Sequence, residues 1–432
     1  MSIFEIGAFL VGVSAVFGYL NHKVLRLPHT IGLVLIALAA SMTAIFVDLV
    51  VPTVHIAELV TDVLDHIDFH ETLMHGMLSF MLFAGALHVD FSAFRTRIKA
   101  IAVMASVGTL VSTFVIGGAI WFLLNFFGVE MPFIWALVIG SLISPTDPVA
   151  VLGLFKTVNV PESLEAKMAG ESLFNDGVGV VVFSVVVASA VGSGTHGGEM
   201  GAGEVAKLFL NEAVGGAILG YVAGYAGYRA MYHIDEHNLE VMITLAVVMV
   251  TYAIAIRLHM SGPIAMVVAG LFIGNKGMKF AVSENTRDHV KKFWSLADEI
   301  LNSVLFLLIG LEVLVIAGRS DQWLVAVLAI PVALAARWLS VYLPISILSR
   351  WDTFTRGAVP ILTWGGLRGG IAVALALSLP KNEFKPVILN ITYAIVLFSI
   401  IVQGLTVKSL VEYLMPGDGP ADDLEHSTAT AE

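Results

Sequence analysis

Two acidic side chains, Glu171 and Asp176, lie at the start of a segment that is otherwise apolar enough to cross a membrane. Ser172 and Asn175 stand between them, and the segment continues as GVGVVVF. At about 100° per residue, these polar side chains share one face of an α-helix. Because charge inside a bilayer is costly, an acid there predicts an ion or proton site, and a buried structural network is the alternative.

An aspartate also lies in the middle of an earlier apolar segment, FIWALVIGSLISPTDPVAVLGLF. In this segment Pro145 and Pro148 bracket Thr146 and Asp147. Proline has no N–H and clashes with the preceding helical turn, so main-chain carbonyls lose their partners. Within a membrane these carbonyls must find another partner or line a wet cavity. A simple kink would explain the prolines but not the aspartate.

A third segment, VPILTWGGLRGGIAVALALSLP, places Arg368 between two glycine pairs in GGLRGG (365–370). Glycine weakens a helix, so the pattern predicts a second interrupted span. Two interrupted spans at corresponding places suggest inverted repeats, with a binding site where the breaks meet. Glycines that only allow close helix packing are the alternative interpretation.

The charges inside these spans do not balance. Three acids, Asp147, Glu171 and Asp176, face only two intramembrane arginines, Arg337 and Arg368. At least one acid therefore lacks a cationic partner, which favours reversible binding of a cation or a proton. Carboxylate, hydroxyl and carbonyl oxygens are the ligands that hard cations such as Na⁺ prefer.

The composition of the whole chain is typical of a polytopic helical membrane protein. Of the 432 residues, 57% are apolar and only 13% are charged, whereas about 25% are charged in soluble domains. Cysteine is absent, which excludes disulfides and thiolate metal sites. The net charge of −11 argues against a nucleic-acid partner. The sequence has no ATP-binding motif and predicts no cofactor, so transport would be secondary.

A membrane span needs about 20 apolar residues. This criterion predicts thirteen spans, near 3–21, 29–51, 70–90, 98–127, 132–155, 165–192, 203–232, 238–258, 262–275, 286–317, 321–348, 354–380 and 385–413. Sixteen of the 23 Lys and Arg residues then fall on one side, five on the other and two inside spans. Lys and Arg favour the cytoplasm, so we expect a multi-pass cell-membrane protein with its N-terminus outside and its C-terminus inside. The acidic tail at 414–432 is expected to be a disordered cytoplasmic segment.

The three polar segments together resemble a known family. SPTDPVAV (144–151), GESLFNDG (170–177), GGLRGGIAVALALSLP (365–380) and LNSVLFLLIGLE (301–312) are similar to motifs of NhaP-type sodium/proton antiporters of the cation:proton antiporter superfamily.

The resemblance implies a division of the chain into two domains. Thirteen spans would form two inverted six-helix repeats around a seventh helix, with discontinuous helices 5 and 12 crossing at the ion site, and the protein would be a homodimer in membrane lipid. The implied scaffold and dimer-interface domain comprises 1–95 and 203–318, and the implied ion-transport core comprises 96–202 and 319–413.

The resemblance also implies the ion site. Asp176 would bind a cation or a proton alternately. The implied ligands of Na⁺ and H⁺ are Asp176, Ser172, Thr146 through its main-chain carbonyl, Asp147 and Glu171.

Two further residues would support that site by resemblance. Asn175 would steady the unwound chain near Thr146, and Arg368 would pair with Glu171. Because another branch of the superfamily has a second aspartate where this chain has Asn175, the exchange is expected to be electroneutral.

The expected function is therefore a Na⁺(Li⁺)/H⁺ antiporter that works by alternating access and is not an enzyme. Burial disfavours a charged carboxylate and a bound cation favours it, so the two ions can compete for one group. A K⁺/H⁺ antiporter of the same fold and a cation channel remain alternatives. An intramembrane zinc protease is disfavoured, because His70 and His75 are one residue too far apart for H-E-x-x-H.

Two weaker patterns complete the sequence-based expectations. Glu312 and Arg337 are a candidate structural pair between the tenth and eleventh spans. Four histidines in an acidic outer loop are read as a solvated loop or, alternatively, as a pH-sensing vestibule: His55, His66, His70 and His75.

Overall fold

Helices connected by short non-helical segments make up the described residues, which in the computed structural model are 3–51, 60–61, 76–89, 98–147, 162–195, 202–316, 323–348 and 357–415. The helices are α1 (Ile3–Leu20), α2 (His29–Val50), α3 (Leu78–His88), α4 (98–126), α5 (Phe133–Ile143), α6 (Glu162–Thr195), α7 (Ala202–Met231), α8 (His237–Arg257), α9 (Gly262–Phe272), α10 (Glu284–Ile316), α11 (Trp323–Leu348), α12 (Ala358–Trp364), α13 (Gly370–Ser378) and α14 (Lys385–Leu414).

A helix occupies each of the thirteen predicted spans, so the all-α membrane fold is confirmed. Seven helices in the described ranges are long and apolar enough to cross a membrane. Two of the described helices, α8 and α9, begin with a side-chain cap. Ser261 accepts a hydrogen bond from the N–H of Ile264 at the start of α9, and Glu236 accepts one from the N–H of Leu239 at the start of α8.

Two groups of helices pack together. One group is built from α2 on α10, α3 on α9 and α7 on α9. The other is built from α4 on α5, α5 on α6 and α11 on α14. Helix α6 packs closely on the segment that follows α5, since a Cβ added at Gly179 would overlap the ring of Pro145.

Two spans are interrupted where the proline and glycine patterns predict. Helix α5 ends at Ile143, and the chain then runs through a non-helical segment to Asp147. In the second interrupted span, α12 ends at Trp364 and α13 begins at Gly370. The prediction of two discontinuous helices is therefore confirmed.

Two sequence-based expectations concern residues that the structure does not describe. The four outer-loop histidines and the tail beyond residue 415 lie outside the described residues.

Candidate functional site

The two interrupted spans cross each other through their main chains. The N–H of Asp147 donates to the carbonyl of Leu367 at 2.8 Å, as a single antiparallel bridge. A Cβ added at Gly369 would overlap the carboxylate of Asp147, so only glycine allows this side chain to lie against the start of α13. An acid at a helix N-terminus interacts favourably with the helix dipole. The crossing therefore holds Asp147 at the site that the sequence predicts.

Arg368 binds two main-chain carbonyls at the break in the fifth span, and Pro148 leaves one of them without its helical donor. Its Nη1 donates to the carbonyls of Ser144 and Pro145 at 2.8 and 2.9 Å. In a continuous helix the carbonyl of Ser144 would accept from residue 148, which is a proline without an N–H. A cation beyond the C-terminal end of α5 also complements the helix dipole. Arg368 thus replaces the lost donors of the broken fifth span.

Helix α14, the thirteenth span, forms hydrogen bonds with the second interrupted span. The N–H of Arg368 donates to Ser399 Oγ at 2.9 Å, and Ser399 in turn donates to Gln403 Oε1. Gln403 Nε2 donates to the carbonyl of Trp364, the last residue of α12, at 3.0 Å. Ser399 and Gln403 are the two ends of a π-helical turn in α14. These two positions were not predicted, although polar residues inside a span were a signal for them.

Thr146 is tied to α6 by its main chain and its hydroxyl. Its N–H donates to Asn175 Oδ1 at 3.2 Å, and its Oγ1 accepts from Asn175 Nδ2 at 2.8 Å. The hydroxyls of Thr146 and Ser172 are 3.1 Å apart and form a further hydrogen bond. The expected contact between Asn175 and the unwound chain is therefore present, and it also aligns Ser172 with the crossing.

Asp176 lies one helical turn beyond Ser172 on the same buried face of α6. Only 6% of its surface is exposed. No described residue donates a hydrogen bond to its carboxylate, and Asp147 is close enough for the two negative charges to repel each other. A buried carboxylate in this position requires a positive charge or a proton.

The predicted pairing of Glu171 with Arg368 is wrong. Glu171 forms a two-pronged ion pair with Arg337 of α11, in which Nη1 contacts Oε1 and Nη2 lies 3.0 Å from Oε2. Arg337 Nη2 also donates to the carbonyl of Leu362 in α12 at 3.2 Å. The physical reason is that Arg368 is engaged by the carbonyls of the broken fifth span. The same contacts show that Arg337 pairs with Glu171 and not, as expected, with Glu312.

The fold and site define a class of proteins: helical membrane transporters with two discontinuous spans that cross at an acidic site. The family model described as sodium/hydrogen exchanger, transmembrane, matches residues 12–413. The chain therefore belongs to the sodium/hydrogen exchanger family, and the resemblance to its NhaP-type members is confirmed.

Individual relatives agree with this assignment over nearly the full length. The chain is 43% identical to the Na⁺/H⁺ antiporter NhaP of Pseudomonas aeruginosa, over 96% of this chain and 97% of that protein. It is 36% identical to the Na⁺/H⁺ antiporter NhaH of Halobacillus dabanensis, over 91% of this chain and 93% of that protein. The fold resembles the structure at pH 8 of the sodium proton antiporter MjNhaP1 from Methanocaldococcus jannaschii, with a TM-score of 0.75 and 17% identity over 96% and 99% of the two chains.

Proposed function

We propose that this protein is a secondary active Na⁺(Li⁺)/H⁺ antiporter in which a cation and a proton compete for the carboxylate of Asp176. The observation that carries the proposal is the isolation of this carboxylate. It is buried at the crossing of the two interrupted spans, and no described residue donates a hydrogen bond to it. The relatives described as Na⁺/H⁺ antiporters support Na⁺ as the cation.

The distribution of charge supports this role for Asp176. Arg337 neutralises Glu171, and Arg368 lies against main-chain carbonyls. The negative charge of Asp147 also disfavours a negative charge at Asp176, and a cation or a proton bound at Asp176 would relieve this repulsion. When the site is empty it carries uncompensated charge, which is costly to move through an apolar scaffold. Only a site that holds a cation or a proton would therefore move between the two sides of the membrane. This restriction couples the flux of the cation to the flux of the proton, as antiport requires.

The ligands available near Asp176 suit a monovalent hard cation. Ser172 offers a hydroxyl, Asp147 a second carboxylate and Thr146 its main-chain carbonyl, and all are oxygens. Glu171, the remaining ligand that the resemblance implies, would support the site indirectly, since Arg337 holds and neutralises its carboxylate. With these ligands, Na⁺ and Li⁺ are the cations that we assign to the site.

Electroneutral exchange follows from the neutral side chain at position 175. Asn175 uses both ends of its amide on Thr146, so it adds no titratable group to the site. One carboxylate that carries either one proton or one Na⁺ exchanges equal charges. A membrane potential should then leave the rate of exchange unchanged.

Alternating access would divide the molecule into two units. The helix pairs α2–α10, α3–α9 and α7–α9 fall within the scaffold expected at 1–95 and 203–318. The pairs α4–α5, α5–α6 and α11–α14 fall within the core expected at 96–202 and 319–413. This packing supports a core that moves against a scaffold, and the scaffold would also form the interface of a homodimer. The loop charges support an outer N-terminus and a cytoplasmic C-terminus in the cell membrane.

The test is cation-driven dissipation of a pH gradient in proteoliposomes that contain the full-length protein. Na⁺ and Li⁺ should each dissipate the gradient, and Asp176→Asn should abolish the response. Glu130→Gln is the matched control, because Glu130 is an exposed acid before the start of α5, at the opposite end of that helix from the crossing. Full activity of Asp176→Asn, with the control also active, would overturn the assignment of Asp176.

The same preparation separates the alternatives. A response to K⁺ that exceeds the response to Na⁺ would identify a K⁺/H⁺ antiporter. Cation flux that continues without any proton movement, and that follows an imposed membrane potential, would identify a channel. A rate that is independent of the membrane potential supports electroneutral antiport.

A further inference from the structure

Helix α10 carries four polar residues, in two adjacent pairs, that the crossing site does not use. Asp298 and Asn302 are one helical turn apart, as are Glu299 and Ser303, so the four side chains form two adjacent rows. Asn302 is only 2% exposed and Ser303 is 8% exposed. Polar groups buried this deeply in a membrane span are a functional signal.

The row of Asp298 and Asn302 faces the crossing site. Asp298 is close enough to Asp147 for their charges to repel each other. Further along the same helix, Leu305 packs so closely on the first residue of α13 that a Cβ added at Gly370 would overlap it. Asp298 is therefore an acid outside the crossing that adds to its negative potential.

Asn302 supplies a free oxygen beside Asp298. Its Nδ2 donates to the main-chain carbonyl of Asp298 at 2.9 Å, and its amide also interacts with the Asp298 carboxylate. Its Oδ1 is buried, and none of the residues that the structure describes donates a hydrogen bond to it. A buried acceptor without a partner costs about 1–3 kcal/mol. A bound cation or a water molecule of its hydration shell would remove that cost.

The neighbouring row borders an open cavity. Ser303 Oγ lies 2.8 Å from Nε2 of His29, at the start of α2. Glu299 lines a cavity of about 650 Å³, together with Asn21 and Arg26 at the junction of α1 and α2. The loop charges assign this junction to the cytoplasmic side. The polar rows of α10 thus lie between this cavity and the crossing of the interrupted spans.

We propose that Asp298 and Asn302 form a second binding station for the transported monovalent cation, between the cavity at the α1–α2 junction and the crossing site. This proposal rests on the proposed function. The carboxylate of Asp298 and the carbonyl oxygen of Asn302 replace part of the hydration shell of the cation. The negative charge of the station raises the local cation concentration beside Asp147, and the cation then moves on to Asp176.

The experiment measures Na⁺/H⁺ exchange in proteoliposomes with Na⁺ supplied from the side of the α1–α2 junction. Asp298→Asn should raise the apparent KM for Na⁺ by about three- to tenfold and leave the maximal rate within about twofold. Asn302→Ala should raise the apparent KM in the same direction. Asp298→Glu should restore most of the lost affinity, because it restores the charge.

The control is Glu284→Gln, which removes an acid from an exposed position at the start of the same helix and should leave the apparent KM unchanged. Added choline chloride should shrink the effect of Asp298→Asn, because salt screens the charge that attracts the cation. An unchanged apparent KM for Na⁺ in Asp298→Asn, or a lower maximal rate at constant KM, would overturn the proposal that Asp298 and Asn302 bind the cation. A wild-type protein without any cation/proton exchange would instead overturn the proposed function.

Discussion

The ion pair between Glu171 of α6 and Arg337 of α11 connects two helices beside the crossing. Both side chains are almost fully buried, with 2% and 6% of their surfaces exposed. Removing one partner of a buried pair costs about 3–5 kcal/mol, because the other charge stays buried without compensation. Removing both charges together is often nearly neutral. We therefore expect Glu171→Gln and Arg337→Gln each to destabilise the protein strongly, and the double variant to recover much of the loss.

The assay is a double-mutant cycle on the free energy of unfolding in mixed micelles, followed by tryptophan fluorescence as the denaturing detergent is added. The coupling energy between Glu171 and Arg337 should be several times the roughly 0.5 kcal/mol within which independent sites are additive. A parallel cycle between Glu171 and Arg368 should give a smaller coupling energy. Additive effects at Glu171 and Arg337, with strong coupling between Glu171 and Arg368, would refute the pairing described above.

Three further substitutions test the crossing. Arg368→Gln removes two charge-assisted bonds to carbonyls of the fifth span, each worth about 1.5–3 kcal/mol, so both exchange and thermal stability in detergent should fall; an unchanged melting temperature would contradict this. Ser399→Ala leaves the buried N–H of Arg368 without its acceptor and should cost about 1–3 kcal/mol in the same unfolding assay. Gly369→Ala pushes a methyl group into the carboxylate of Asp147 and should slow exchange, whereas Gly118→Ala, which has open space around it, should not; equal rates in the two variants would argue against the close approach.

The sequence predicts the interrupted spans because their causes are local. Two prolines close together, at 145 and 148, and two glycine pairs in GGLRGG (365–370) weaken a helix locally. The more widely spaced Pro331 and Pro344 stay inside α11. The common face of Ser172, Asn175 and Asp176 follows from helical periodicity alone. The contact between Asn175 and Thr146 was expected by resemblance, and the hydrogen bonds agree with it.

The ionic partner of Glu171 cannot be predicted from the sequence alone, for a physical reason. Arg337 and Arg368 both lie inside spans, and periodicity assigns depth and face but not which of two distant helices approaches α6. The carbonyls released by the prolines were predicted to need a partner, yet nothing in the pattern assigned them to Arg368. Once Arg368 binds these carbonyls, Arg337 is left to neutralise Glu171. The proposed role of Asp298 has no signal in the sequence for the same reason, because its proximity to Asp147 arises only from the packing of α10.

The measurement that tests the central claim most directly is the apparent KM for Na⁺ as a function of pH in proteoliposomes. If one carboxylate, Asp176, holds either a proton or a cation, protons must act as competitive inhibitors of Na⁺. At acidic pH, each tenfold rise in proton concentration should then raise the apparent KM by up to about tenfold, with the maximal rate unchanged. An apparent KM that stays constant while the maximal rate falls would contradict the account, because protons would then act somewhere other than the cation site.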